Sequence, residues 1–357
     1  RVVPEDEFCG LADSDHLAND VPDVDECDPM EPDASVLEAR ARDAEAAARD
    51  VPGVTNSEGA EAGWSRSRTA IAASNGFAKV RLRSSHAISA AVLAGEGTDM
   101  ERDYDWASVV HGEDLPDPAE IGRKAGENAV KRLNPRKISS AQVPVVYNPR
   151  VAQSILAHLA SAVNGASIAR GTSFLKGRMD TAVFSDAITI VDDPLRPRGL
   201  RSKAFDGEGL ATYRKNFIEN GVLTTWIMDL RSARQLGLKS TASATRGTSS
   251  PPSPATTNLY MEAGSVSPAE LIADIKSGLY ITGLMGQGAN LITGDYSRGA
   301  EGFWIENGEI AYPVNELTIA GNLDAMFKSL VPANDLIFRF GTNAPTLRID
   351  GMTVAGK

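Results

Sequence analysis

The spacing of apolar and polar residues divides this chain into helical and extended stretches. Residues 1–34 are rich in Asp, Glu and Pro without an apolar period, and read as an irregular segment over the surface. A helix is predicted next: Ser35 and Glu38 have capping-box spacing, Glu38–Arg42 and Glu45–Arg49 form i,i+4 pairs on a solvated face, and Val51-Pro52-Gly53 ends it. Residues 54–98 turn to short alternating runs of Ser, Ala, Val and Ile, with the hairpin signal Asn75-Gly76 between two of them. Three or four antiparallel strands are expected, with Ile71, Val80, Leu82, Ile88, Val92 and Leu93 facing inward. Asp117 as N-cap and Pro118 at the first helical position open a second helix, along which Ile121, Ala125, Ala129 and Leu133 recur at helical spacing.

Asn134-Pro135-Arg136-Lys137 is the expected boundary between an N-terminal α+β domain, 1–136, and a mostly antiparallel β domain with helices, 137–357. Val143 to Tyr147 reads as a buried strand. Val151, Ile155, Leu159 and Val163 define an amphipathic helix over about 150–164, closed by Gly165. Beyond Gly171 the pattern is strands and turns, including an Asn307-Gly308 hairpin, broken by two helices. One spans about 267–277 from Ser267-Pro268, with Leu271, Ile272 and Ile275; the other spans about 322–330, with Leu323, Met326, Phe327 and Leu330. The Ser-, Thr-, Pro- and Gly-rich stretch Thr245 to Thr257 is a loop long enough to suggest function. Antiparallel strands with segregated helices make the fold class α+β, in two domains.

Charge sharpens this picture. The chain of 357 residues carries a formal net charge of -11, yet 16 of its 47 acidic residues and only 4 of its 36 basic ones fall within residues 1–50. The rest is neutral, with no basic stripe, which disfavours nucleic acid as a partner. No apolar run is long enough for a membrane-spanning helix. Arg1 stands where an initiating Met would, so the N-terminal domain is expected to be incomplete at its start. Cys9 and Cys27 make no disulfide framework and point to a reducing cytoplasm.

Zinc hydrolysis requires imidazole, thiolate or carboxylate ligands that converge on the metal, with a general base beside them. The histidines are His16, His86, His111 and His158; no two are close and none belongs to an H-E-x-x-H pattern. His158 sits near the apolar face of its helix and reads as a partly buried structural residue. The run Asp99, Glu101, Asp103, Asp105 has the alternate spacing of a calcium loop, but Tyr104 and Val110 stand where Gly and Glu are required, so it reads as a solvated strand face or turn. Gly283, Gly286 and Gly288 mimic a phosphate loop without the strand–helix unit one needs. No G-x-S-x-G elbow occurs.

Several long strings resemble the TldD/PmbA family, once named modulators of DNA gyrase, and within it the TldE/PmbA branch. They are TGDYSRGAEGFWIENGEIAYPV (Thr293 to Val314), ARGTSFL (Ala169 to Leu175), TIVDDP (Thr189 to Pro194), FDGEG (Phe205 to Gly209) and the closing PTLRIDGMTVAGK. Upstream, WSRSRTAIAASNGF (Trp64 to Phe77) and MERDYDW (Met100 to Trp106) fit the same family, so the likeness covers nearly the whole chain.

The resemblance implies a TldD/PmbA-like fold and a two-chain zinc metallopeptidase acting on short or unfolded peptides. The catalytic TldD-like subunit carries an H-E-x-x-x-H helix and a later cysteine ligand. Counting back from Gly171, Leu156 and Ala157 occupy the His-Glu positions here and Ser161 that of the second His, while Phe340-Gly341-Thr342-Asn343 runs into Pro345 without the cysteine loop. The implied role is a non-catalytic scaffold and peptide-binding subunit with no cofactor of its own, its zinc in a TldD-like partner, forming a homodimer when isolated. Asp295, Tyr296, Ser297, Arg298 and Gly299 are the peptide-facing or interface candidates, Arg298 to hold a carboxylate and Tyr296 to offer a flat contact; the alternative is a tight turn beside the Asn307-Gly308 hairpin. Two other readings stand beside this one. One is a self-sufficient hydrolase using His158, Asp180 or Asp206; the other is an adaptor linked to gyrase or nucleic acid.

Overall fold

The computed structural model describes residues 5–356. Arg1, on which the reading of an interrupted start rests, and Lys357, the last residue of the closing string, lie outside them.

The N-terminal layer is a three-stranded antiparallel sheet, β1 (Val54–Ala72), β2 (Ala78–Ala94) and β3 (Glu101–Val109), with two helices on one face, α1 (Ala34–Arg49) and α2 (Pro118–Lys131). Within 54–98 two strands form rather than three or four, because β1 and β2 run on as one long hairpin through Asn75-Gly76, where Gly76 has φ +95°; β3 lies beyond that stretch. Ile88, Ala90, Val92 and Ala107 pack against Ala44, Ala48, Ile121, Ala125 and Ala129 of the helices. The two helices come unusually close: a Cβ on Gly122 would lie 1.9 Å from the Ala44 carbonyl oxygen. Asp117 caps α2 as its position implies, accepting from the Ala119 amide. The α1 start is a correction. Its N-cap is Asp33, so Ser35 and Glu38 lie inside the helix and form no capping box. A second correction concerns the distal hairpin, which outruns the helices, so that Val80 and Leu82 are 51% and 48% exposed rather than inward. Ile71 there packs instead in a small cluster with Ala18, Phe77 and Phe205.

The rest is organised around β4 (Ala141–Tyr147), β5 (Ser277–Met285), β6 (Asp295–Glu306), β7 (Glu309–Asn322) and β8 (Leu347–Ala355). β4 pairs parallel with β5; the pairs β5–β6, β6–β7, β7–β8 and β8–β4 are antiparallel, so the five close into a ring. Asn307 and Gly308 join β6 to β7 with φ of 51° and 81°, both positive as a type I′ turn needs. A smaller sheet places Ile190–Asp192 between Lys215–Glu219 and Leu259–Met261.

Five further helices pack on these sheets: α3 (Pro149–Ala162), α4 (Gly165–Arg170), α5 (Leu230–Leu236), α6 (Pro268–Ile272) and α7 (Leu323–Ser329). Asn148 caps α3 by accepting from the Arg150 amide. Gly165 does not end that helix; it opens α4 beneath the Asn164 cap, where a Cβ would meet the Ile227 oxygen at 2.8 Å. Asp229 caps α5, a seven-residue helix too short for its apolar period to show in the sequence. The Ser267–Glu270 capping box opens α6, which ends at Ile272 rather than near 277; Ile275 still reaches a cluster with Val146 and Ile305. In α7, Leu323, Met326 and Phe327 are buried as their spacing implies. The fold is thus mixed α+β, with the main core between the strand ring and α3.

Candidate functional site

Helix α3 divides its two faces sharply. Val151, Ala152, Ile155, Leu156 and Leu159 enter the main core, while Arg150, Ser154 and Ala157 look into a cleft of about 640 Å³. Leu156 is fully buried; Ala157 is exposed on the cleft wall; Ser161 is exposed, its hydroxyl donating to the Ala157 carbonyl at 2.9 Å. Two apolar side chains and a hydroxyl already bonded to its own helix do not fit zinc, which takes imidazole, thiolate or carboxylate donors. Among the described residues, the carboxylate and imidazole groups that converge within 4.8 Å as a set of three are Asp13, Asp15 and His16, all exposed. His158, Asp180 and Asp206 do not converge.

The candidate segment 295–299 makes up the first five residues of β6, so it is extended and forms no tight turn. Asp295 is exposed and accepts from Thr293 Oγ1 at 2.7 Å. Tyr296 is 1% exposed, its ring meeting His158 edge-on at 5.6 Å, and therefore offers no surface to a peptide. Ser297 is exposed, with its amide donating to the Gly288 oxygen at 2.7 Å. Gly299 is half-buried beside Met285. Arg298 lines the same cleft as Ala157, which joins one candidate cation to one implied ligand position. Burial, then the neighbouring Arg298 charge, pushes the His158 pKa down, so the ring stays neutral near pH 7. Burial also pushes the Tyr296 phenol up, with Tyr147 and Arg298 opposing.

The acidic run of β3 is not a solvated face. Asp103 and Asp105 are buried against arginines from distant parts of the chain. Arg150 donates to Asp103 Oδ1 at 2.7 Å and stacks 3.7 Å from the Tyr104 ring centre; Arg339 reaches Asp105 at 2.6 Å. Arg132, at the end of α2, contacts Glu101 at 3.4 Å, Asp103 at 3.5 Å and Glu301 of β6 at 2.5 Å. Burial works against its charge, but Glu301, Asp103 and Glu101 together raise its pKa above the ordinary value. This lattice of charges fastens the N-terminal sheet to the cleft. Sequence spacing shows the carboxylates but not their partners.

A second cleft, about 770 Å³, lies between the free edge of β1 at Thr69–Ala72, the pair Lys203 and Asp206, and the loop at 245–250. Beneath it are buried charges, among them Asp192 of the TIVDDP string and Asp206 of FDGEG, the latter a candidate residue of the self-sufficient hydrolase. Asp192 accepts from the Thr257 amide and hydroxyl at 2.6 and 2.9 Å and stands 4.0 Å from Lys215; Asp206 accepts from the amides of Glu208, Leu210 and Ala244. Burial raises the pKa of Asp192 and Asp206, lowers that of Lys203 and Lys215, and pushes Glu208 up to about 7.

The acidic N-terminal segment is also anchored. His86 Nε2 lies 3.0 Å from Asp28 Oδ2, and Asp28 accepts from the Gly112 amide. Cys9 and Cys27 are free thiols. Among the described residues, no helix is long and apolar enough to cross a membrane.

Comparison with known proteins accounts for most of this framework. Residues 25–133 match the PmbA/TldA metallopeptidase central domain, and residues 140–356 the PmbA/TldA metallopeptidase C-terminal domain. Metalloprotease PmbA of Escherichia coli O157:H7 is 37% identical over 100% of this chain and 78% of its own length; the Haemophilus influenzae homolog is 35% identical over the same shares. Among solved structures, a Bacteroides thetaiotaomicron protein described as a candidate modulator of DNA gyrase superposes with a TM-score of 0.90 at 29% identity, covering 99% of this chain and 80% of that one. TldE from Thermococcus kodakarensis shares the fold, with a TM-score of 0.87 at 21% identity, over 99% of this chain and 81% of that one.

Proposed function

The chain belongs to the PmbA/TldD metallopeptidase family, and on that premise we propose that it is the non-catalytic, peptide-binding subunit of a two-chain zinc metallopeptidase. The observation that carries this reading is the α3 donor set. Where the family likeness implies a His-Glu pair and a second His, Leu156 is in the core, Ala157 has no donor and Ser161 bonds its own helix. In this reading the zinc belongs to a TldD-like partner. This chain supplies the opposite wall of the chamber and holds peptide backbone.

The free edge of β1 supports the peptide-binding part. Among the described residues that strand pairs only with β2, and its Thr69–Ala72 end borders the larger cleft, so its unpaired amides and carbonyls offer an extended peptide a strand to join. A subunit shaped to pair with a homologue also retains a surface for a second copy of itself, so the isolated chain forms a homodimer.

The test is to purify the chain alone and together with a TldD-like partner, then measure zinc and digestion of unfolded peptides for each. We expect substoichiometric zinc and no cleavage from the chain alone, with both gained in the complex. One zinc per chain together with chelator-sensitive cleavage by this protein alone would sink the proposal. Such a result would make it a hydrolase in its own right, the reading that the name metalloprotease on its relatives favours.

A further inference from the structure

We propose that the cleft over α3 takes the carboxylate of a peptide, with Arg298 as its anchoring cation. This rests on the peptide-binding reading above and names the group that is recognised. On β6, Tyr296, Arg298 and Ala300 point to the same, inward face, and both neighbours of Arg298 on that face are buried in the core. Arg298 is itself half-buried, yet among the described residues it makes no ion pair, and its Nε has no hydrogen-bond partner. Its guanidinium acts on the neutral Tyr296 phenol but meets no carboxylate, and a bound anion offsets the cost of holding that charge partly out of water.

The other charges around the cleft are differently placed. Arg150 is engaged by Asp103, and Glu301 by Arg132. Among the described residues the Arg201 guanidinium reaches only the Thr342 hydroxyl, at 3.4 Å. The wall therefore presents Arg298 and Arg201 without carboxylates, against a Glu301 whose charge is already answered. Thr282 Oγ1, on a residue that also lines the cleft, is likewise without a hydrogen-bond partner among the described residues, so a neutral hydroxyl accompanies the cation.

A planar guanidinium fork matches a carboxylate in two parallel hydrogen bonds. The volume of about 640 Å³ falls within the roughly 300–1,000 Å³ of small-ligand sites. Leu259 and Leu284 supply apolar walls, while Gln153 and Thr256 offer polar atoms to a peptide backbone. A C-terminal carboxylate and an Asp or Glu side chain share this chemistry.

The experiment is fluorescence anisotropy on the full chain, with chelator present so that cleavage does not enter. The probes are three labelled five-residue alanine–leucine peptides: a free acid, its C-terminal amide, and an amide ending in Glu. We expect the free acid to bind about tenfold more tightly than the plain amide, as for a charge-assisted hydrogen bond. The Glu-bearing amide tells the two carboxylate sources apart. R298Q should erase the preference and R298K should keep part of it, each with an unchanged far-UV spectrum. Equal binding of the three peptides by the unaltered chain overturns the proposal without any variant. So does a failure of all three to bind at millimolar concentration, or a preference that survives in R298Q. Zinc-dependent cleavage by the chain alone would instead overturn the subunit reading and leave this comparison standing.

Discussion

Replacing Arg132 by Met keeps most of the side-chain stem and removes the charge that joins α2 to β3 and β6. The structure sets the scale. Arg132 is 13% exposed, and its partners Glu101, Asp103 and Glu301 are 13%, 4% and 26% exposed. Without it, Asp103 keeps Arg150, while Glu101 and Glu301 lose their ion-pair partner among the described residues. Breaking a buried ion pair by removing one partner costs about 3–5 kcal/mol, and the partial exposure of Glu301 puts this case near the lower end. About 3 kcal/mol raises the population of an opened junction roughly a hundredfold. The junction carries its own reporter, since Arg136 and Lys137 are exposed in the linking segment. Trypsin cleavage there should accelerate strongly in R132M while the rest of the digestion pattern is kept. Adding E301Q to R132M should recover part of the loss, because one uncompensated carboxylate is then gone. Cleavage of R132M within twofold of the unaltered protein would refute the idea that this charge cluster holds the two layers together.

Three further outcomes follow from the packing. Gly122→Ala would normally favour a helix, but its Cβ would fall 1.9 Å from the Ala44 oxygen, so α1 and α2 must part, at a cost of about 1–3 kcal/mol by thermal melting; a rise in melting temperature would contradict this. Leu156→Ala should cost about 2–5 kcal/mol in urea denaturation, whereas Ala157→Ser should stay within about 0.5 kcal/mol, since the first side chain is buried in the core and the second is exposed; equal losses would mean that the helix is rotated. Glu208, pushed from 4.5 up to about 7 by burial, binds a proton in the folded state that the unfolded chain has already released. Its contribution to stability therefore falls as pH rises from 4.5 through 7, by roughly 2–3 kcal/mol. Glu208→Gln keeps an acceptor for the Leu230 amide and should flatten that part of the pH profile, gaining stability at pH 8; an unchanged profile would place the titration elsewhere.

Local chemistry was legible in the sequence wherever a few adjacent residues decide the backbone. Asp117 and Pro118 begin a helix, Ser267 and Pro268 begin another, and both Asn-Gly pairs turn hairpins, because capping and positive φ are short-range constraints. The buried strand 141–147 and the apolar face of α3 were readable for a similar reason, since periodicity reports burial. The family likeness implies, by counting from one glycine, where on α3 the ligand positions would fall.

What only the tertiary structure decided is which distant groups meet. Ser35 and Glu38 had the right spacing, but Asp33 takes the cap, so their side chains project from inside the first turns. Val80 and Leu82 alternate like core residues, yet no helix reaches the part of the hairpin where they stand. The β3 carboxylates looked solvated because their arginines lie 29 to 234 residues away along the chain. Tyr296 and Arg298 differ by two positions on one strand face, and the ring is lost in the core while the guanidinium reaches a cleft. Composition and spacing cannot separate such neighbours, because burial is set by what the closed strand ring and α3 bring against them.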